Sequence, residues 1–295
     1  MAASRLTGCG TALVTPFLDN GDLDEPALRA FVDWQIAEGI NCLVPCGSTG
    51  EAVTLSPAEH KRVVQITVQQ VAGRIPVIAG AGSNDTRKAI ATSLEMKAVG
   101  ATHLLHVTPM YNKPPQRALI AHFTAIADAC DLPIVLYNVP GRTSINLEAQ
   151  TTLELAEDTR FMAVKEASAN LSQISEIIRH RPANFSVLSG DDSWTLPLMA
   201  LGADGVISVV SNNVPRAMTE LAAACSRGDF AAARVIDRKL APWMSAAFVE
   251  SNPIPAKAGL AMMGRIRDNL RLPLVPLAEK HRAAVRSALE HANAL

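Results

Sequence analysis

The sequence has no excess of charge of either sign: 27 Lys and Arg stand against 28 Asp and Glu, a formal net charge of -1. Without a basic stripe there is no electrostatic footprint for nucleic acid, and without a polybasic patch none for an anionic membrane surface. Cysteine is scarce and unpaired in spacing. The five, Cys9, Cys42, Cys46, Cys130 and Cys225, are an odd number with no CxxC pair, which excludes a disulfide framework and a zinc ribbon. No uncharged apolar run approaches the roughly 18 residues a membrane helix needs, and Met1 to Gly10 holds no apolar signal-peptide core. Low-complexity segments and flexible linkers are absent too. These absences leave a globular protein of a reducing cytoplasm, neither exported nor membrane-spanning, and too short at 295 residues for three modules.

What the chain does have is alternation. Eight short apolar runs recur, at Thr11 to Thr15, Cys42 to Cys46, Pro76 to Gly80, His103 to Thr108, Pro133 to Tyr137, Met162 to Lys165, Phe185 to Ser189 and Val206 to Val210. Stretches of helical periodicity separate them, such as Ala27, Phe31, Trp34 and Ile36, or Val63, Val64, Ile66, Val68 and Val71. Continuous apolar character in the runs means burial on both faces, the mark of a parallel sheet covered by helices. Eight such units predict an α/β fold, a (β/α)8 TIM barrel over residues 1–225 carrying the active site. Residues 226–295 read as a C-terminal three-helix extension, broken at Pro242, at Asn252 to Pro255 and at Leu272 to Pro276.

In such a barrel the chemistry sits where the strands end. Lys165 follows Phe161-Met162-Ala163-Val164, so its amine should point into the barrel. Desolvation lowers a lysine pKa and frees the neutral amine, a nucleophile toward carbonyls that forms a Schiff base. A structural ion pair with Glu166 is the alternative, weakened because adjacent residues on a strand face opposite ways. The only two tyrosines, Tyr111 and Tyr137, both fall at strand ends and both precede Asn. Tyr137 with Ser48 or Thr49 could shuttle the protons of a carbinolamine; otherwise the tyrosines anchor loops. Gly47-Ser48-Thr49-Gly50 is either an anion cradle suited to a carboxylate or a plain strand-to-helix turn. Asp191 and Asp192, with no glycine-rich cradle near them, argue against a phosphate site. Arg142, held at a rigid turn, can take a carboxylate in two parallel hydrogen bonds or stand as a surface residue. His103 and His106 lie inside an apolar run and read as core or interface histidines; no metal and no cofactor is indicated.

With those stretches in order, the sequence resembles the dihydrodipicolinate synthase and N-acetylneuraminate lyase superfamily of class I aldolases, and within it the synthases. The resemblance covers the whole chain through GTALVTPF, GSTGE, AGAGSN, VTPMYNKP, LYNVPGRT, VKEAS, LSGDD, GVISV, NPIPAK and LRLPLVPL. It implies that Lys165 forms an imine with pyruvate, whose enamine attacks the aldehyde of L-aspartate 4-semialdehyde before the adduct cyclises to 4-hydroxy-tetrahydrodipicolinate. By the same resemblance Ser48, Tyr137 and Tyr111 form the proton relay, with Tyr111 reaching in from a partner subunit of a homotetramer built from two tight dimers. Thr49 then holds the pyruvate carboxylate, Arg142 that of the aldehyde, and the main-chain carbonyl of Ile207 lies near the imine.

Two departures from the family pattern stand out. Ser48 replaces the usual threonine, keeping the hydroxyl and losing the methyl that fixes its rotamer; activity should survive, and a Ser48→Thr variant should not be much less active than the parent. In the region where relatives bind L-lysine, Asn84 and His60 match, whereas Pro57, Lys88 and Met110 stand for His, Glu and Tyr. Weak or absent inhibition by L-lysine is expected, since its ammonium would meet a cation. The rivals are a Schiff-base aldolase for a sugar acid, against which Arg142 in its GRT stretch argues, and a non-catalytic barrel that senses a keto acid.

Overall fold

The computed structural model describes residues 5–295. Strands and helices alternate as β1 (Gly8–Ala12), α1 (Glu25–Ala37), β2 (Cys42–Val44), α2 (Pro57–Val71), β3 (Ile78–Gly80), α3 (Thr86–Ala98), β4 (His103–Val107), α4 (Gln116–Ala129) and β5 (Ile134–Asn138). After β5 come α5 (Pro140–Thr143), α6 (Ala149–Ala156), β6 (Phe161–Glu166), α7 (Leu171–His180), β7 (Ser186–Ser189), α8 (Thr195–Ala200), β8 (Gly205–Ser208) and α9 (Pro215–Ser226). The hydrogen-bonded order is β2-β1-β8-β7-β6-β5-β4-β3, every pair parallel. A parallel bridge between Leu43 and Val77 joins the two ends, with Gly80 N–H donating to Pro45 O at 2.9 Å, and the ring becomes a (β/α)8 barrel. This is the predicted architecture.

The eight runs are the eight strands, with shifted limits. β1 starts and stops three residues before the Thr11 to Thr15 run, because Val14 N–H bonds the Asn212 side chain and Thr15 donates to Gly50 O instead of continuing the ladder. Apolar character persists past the last paired residue, so it cannot mark where pairing ends. At β6 the register slips: Ile134 faces Phe161 but Val135 faces Ala163. That extra residue switches the parity of everything after it. Ala163 and Lys165 thereby turn inward, while Val164 packs with the helices outside.

Three helices follow the barrel, α10 (Phe230–Ala246), α11 (Ile254–Met262) and α12 (Glu279–His291). Pro242, expected as a break, lies inside α10, which runs on to Ala246. Proline removes one backbone donor, and the burial of Leu240, Trp243 and Met244 around it outweighs that loss. Trp243 is fully buried, its indole N–H donating to Val210 O at 3.4 Å; truncation to Ala would cost about 3–5 kcal/mol. Leu260, Val285 and Leu289 belong to the same core as the helices of the barrel. Among the described residues, no helix is long and apolar enough to cross a membrane.

Candidate active site

At the C-terminal mouth of the barrel a cavity of about 140 Å³ is lined by Lys165, Tyr137, Ser48, Thr49 and Arg142. Lys165 is 5% exposed and its Nζ lies 4.3 Å from the centre of the Tyr137 ring, the two residues being register partners on β6 and β5. Gly190 makes this packing possible: a Cβ there would sit 3.1 Å from Cγ and Cε of Lys165 and 2.8 Å from Cβ of Ala167. Burial pulls the Lys165 pKa down to about 8, with Arg142 pushing the same way and Asp192 holding it up. Roughly one amine in ten is then neutral at pH 7, against about one in 2,500 for a hydrated lysine.

Glu166 is not its partner. On the opposite face of β6 it accepts from Asn138 Nδ2 at 3.1 Å, from Gln173 Nε2 at 3.2 Å and from Ser168 N–H at 2.8 Å. Among the described residues Lys165 forms no ion pair, which leaves its amine available for chemistry.

Tyr137 is buried, and burial raises its pKa to about 12 against the lowering effect of Arg142, so the phenol keeps its proton and can donate it. The turn after β2 is bracketed by two non-glycine residues in the left-handed region, Cys46 at φ 57° and Glu51 at φ 53°. Gly50 N–H donates to Gly47 O and Glu51 N–H to Ser48 O, which closes the turn. The N–H groups of Ser48 and Thr49 make no hydrogen bond among the described residues, a concave pair of donors of the kind that receives an anion.

Two residues singled out in the sequence lie outside this cavity. Tyr111 is 90% exposed with φ 75°. Ile207 is fully buried inside the barrel in one cluster with Tyr137, Leu188 and Val135. His103 is half-buried and His106 fully buried, its Nε2 3.2 Å from Ser93 Oγ, and burial lowers its pKa to about 3; both histidines are packing residues. A second cavity of about 480 Å³ shares Ser48 and Tyr137 with the first and is lined also by His60, Lys88 and Met110. Asn84 donates to Met110 O at 3.3 Å, and Pro57 opens α2.

A scan of family models matches residues 5–292 to one described as the dihydrodipicolinate synthetase family. The chain belongs to the dihydrodipicolinate synthetase family. It is 51% identical over 289 residues to the 4-hydroxy-tetrahydrodipicolinate synthase of Nitratidesulfovibrio vulgaris, covering 98% of this chain and 99% of that one. A structure of the chloride-inhibited dihydrodipicolinate synthase from Acinetobacter baumannii complexed with pyruvate superposes at TM-score 0.97 and 43% identity, over 99% of this chain and 100% of that one. A monomeric dihydrodipicolinate synthase variant superposes at TM-score 0.96 and 42% identity, over 98% of each chain.

Within this dihydrodipicolinate synthetase fold, two contributors to the cavity escaped the sequence reading, and Asp192, named there only as arguing against a phosphate site, acts from behind the lining. Phe248 and Asn252 come from the C-terminal segment. Asn252 Nδ2 donates to Thr49 Oγ1 at 2.9 Å, and its carbonyl accepts from Arg142 Nη2 at 3.4 Å. Asp192 is buried behind Lys165, accepting from Ser208 Oγ and from the N–H groups of Val209 and Val210 at 3.0 and 3.2 Å. Burial raises its pKa to about 6 against those bonds. Its only signal in the sequence was position, three residues past the end of β7.

Proposed function

We propose that the chain is a 4-hydroxy-tetrahydrodipicolinate synthase, a lyase condensing pyruvate with L-aspartate 4-semialdehyde on the way to diaminopimelate and lysine. One observation carries it: a buried, unpaired amine at Lys165 with a lowered pKa, against the Tyr137 ring. The neutral amine attacks C2 of pyruvate, and the carbinolamine hydroxyl takes a proton from Tyr137 and leaves as water. The phenolate left on Tyr137 takes a methyl proton from the iminium, giving an enamine, and returns it to the aldehyde oxygen as the enamine carbon bonds to the aldehyde carbon. Attack of the substrate amine on C2 closes the ring and expels Lys165.

Assigning Thr49 and its neighbouring main chain to the pyruvate carboxylate is supported by the free N–H groups of Ser48 and Thr49 and by the position of the Thr49 side chain in the cavity. Arg142 offers its fork at the mouth to the second carboxylate, and the carbonyl of Ile207 is read as facing the imine. The proton relay of Tyr137, Ser48 and Tyr111 needs Tyr111 from a second copy, a reading supported by the 90% exposure of that ring. We therefore read the assembly as a homotetramer of two tight dimers. The unpaired state of all five cysteines supports work in a reducing cytoplasm. We read residues 1–225 as the catalytic barrel and 226–295 as a helical domain that completes its mouth.

Borohydride reduction in the presence of pyruvate, followed by peptide mass spectrometry, tests the core of this reading. A reduced adduct on Lys165 supports it; its absence from the parent, or an undiminished pyruvate adduct on another residue of Lys165→Ala, overturns it. Turnover with L-aspartate 4-semialdehyde but not with sugar acids separates the synthase from the sugar-acid aldolase, and sedimentation settles the assembly.

A further inference from the structure

On the reading above, the aldehyde substrate bears a carboxylate and an ammonium on one carbon, and Arg142 answers only the first. Asp191 follows Gly190 at the end of β7 and lines the same cavity as Lys165 and Arg142. Its carboxylate is held rigidly. Oδ1 accepts from Ser193 N–H at 3.0 Å and from Ser193 Oγ at 2.7 Å, while its own carbonyl accepts from Ser189 Oγ at 2.7 Å. Oδ2 has no hydrogen-bond partner among the described residues, and no cation pairs with the group. A fixed, half-used carboxylate therefore stands in a cavity whose mouth carries a guanidinium.

Its neighbours cannot take over that role. Asp192 is fully engaged by Ser208 and two main-chain N–H groups. Asp237 lines only an adjoining hollow of about 460 Å³, which Asp191 and Phe248 share with the catalytic cavity. An aldehyde carrying a carboxylate alone would meet the Asp191 charge without compensation, whereas a zwitterion can satisfy Arg142 and Asp191 together.

We infer that Asp191 is the specificity residue for the second substrate, binding the ammonium of a 2-amino acid that ends in an aldehyde and selecting it over the same aldehyde without the amino group. This rests on the proposed condensation; the test below separates the two.

Asp191→Asn keeps the Oδ1 acceptor for Ser193 and removes only the charge. The KM for L-aspartate 4-semialdehyde should rise at least about tenfold, the cost of one lost charge-assisted bond. The KM for pyruvate and borohydride trapping on Lys165 should stay within about twofold, and 4-oxobutanoate, the desamino aldehyde, should inhibit the variant as well as or better than the parent. Asp191→Glu, which restores the charge, should keep the preference for the amino aldehyde to within a few fold. An unchanged aldehyde KM in Asp191→Asn, an equal weakening of both aldehydes, or lost preference in Asp191→Glu would overturn the assignment. Failure of the parent enzyme to trap pyruvate would instead sink the condensation reading itself.

Discussion

Asn252 donates its side-chain N–H to the hydroxyl of Thr49 at 2.9 Å, joining a turn after β2 to a residue 203 positions later. Both side chains are buried, Thr49 at 4% and Asn252 at 5% exposed. A hydroxyl that accepts from an amide has its own hydrogen left to give, and Thr49 Oγ1 gives it to no group among the described residues. The contact thus sets Thr49 as a donor toward the cavity, ready for a carboxylate. Asn252→Ala should raise the KM for pyruvate about tenfold while kcat changes less than about threefold, since an oriented donor is worth about 1.4 kcal/mol. Steady-state kinetics at saturating aldehyde give both numbers. In a Thr49→Val background the same substitution should add little; equal effects in both backgrounds would mean that Asn252 acts through something else.

The second prediction concerns pH. Imine formation requires the neutral amine, so kcat/KM for pyruvate should climb with pH and level off above about 8, where burial has placed the Lys165 pKa. Asp192 opposes burial by favouring the ammonium. Asp192→Asn can keep its one amide oxygen on the Val209 and Val210 N–H groups and turn its NH2 to Ser208 Oγ, which then accepts, but it removes the charge, so the Lys165 pKa falls. The rising limb should move to lower pH in the variant; an upward move would reverse the assigned sign.

The contrast between Lys165 and Asn252 shows what could be read from the chain alone. Lys165 announces itself because a charged residue ends an apolar strand, and a local rule says which way it points. Even there the β6 bulge intervenes: Phe161, two residues before Ala163, lies on the other face from it. Eight strand-helix units were visible for the same local reason, since continuous apolar runs and helical periodicity are short-range patterns. Phe248 and Asn252 reach the cavity through long-range packing of α10 and α11, and no local rule of periodicity or strand position signals it. Pro242 misled because a local breaker was outweighed by burial of the helix around it. Tyr111 was legible as a residue type at a strand end, but its side chain is 90% exposed and lies outside the catalytic cavity.

The third prediction tests how the C-terminal helices support the anion turn. Lys257 Nζ donates to Glu51 Oε1 at 2.6 Å and to Thr15 O at 2.9 Å, and both side chains of the pair are fully buried. The other oxygen of Glu51 accepts from Arg271 N–H at 3.1 Å. Removing one partner of a buried pair strands a charge, at a cost of about 3–5 kcal/mol. Lys257→Met should therefore lower the melting temperature by about 6–10 °C, and adding Glu51→Gln should recover part of it. Recovery would show the stranded charge to be the cause; a double variant worse than the single would show that packing of the lysine stem dominates.

The last prediction turns on Lys88. The cavity of about 480 Å³ that shares Ser48 and Tyr137 with the catalytic site places His60, Lys88 and Met110 on its wall. A free amino acid with a cationic side chain entering there would meet a second ammonium, and two unit charges about 4 Å apart repel by about 4 kcal/mol near a protein surface. His60 offers no countercharge: burial lowers its pKa and keeps the imidazole neutral, and Nε2 is spent on Gly80 O at 2.8 Å. L-Lysine should accordingly inhibit only weakly, with half-inhibition above about 1 mM, a range in which binding supplies no more than about 4 kcal/mol. Lys88→Glu reverses the sign of that wall and should bring half-inhibition down at least about tenfold, read as initial rates against L-lysine concentration. Tight inhibition of the parent, or a Lys88→Glu variant no more sensitive than the parent, would mean that Lys88 does not govern entry to this cavity.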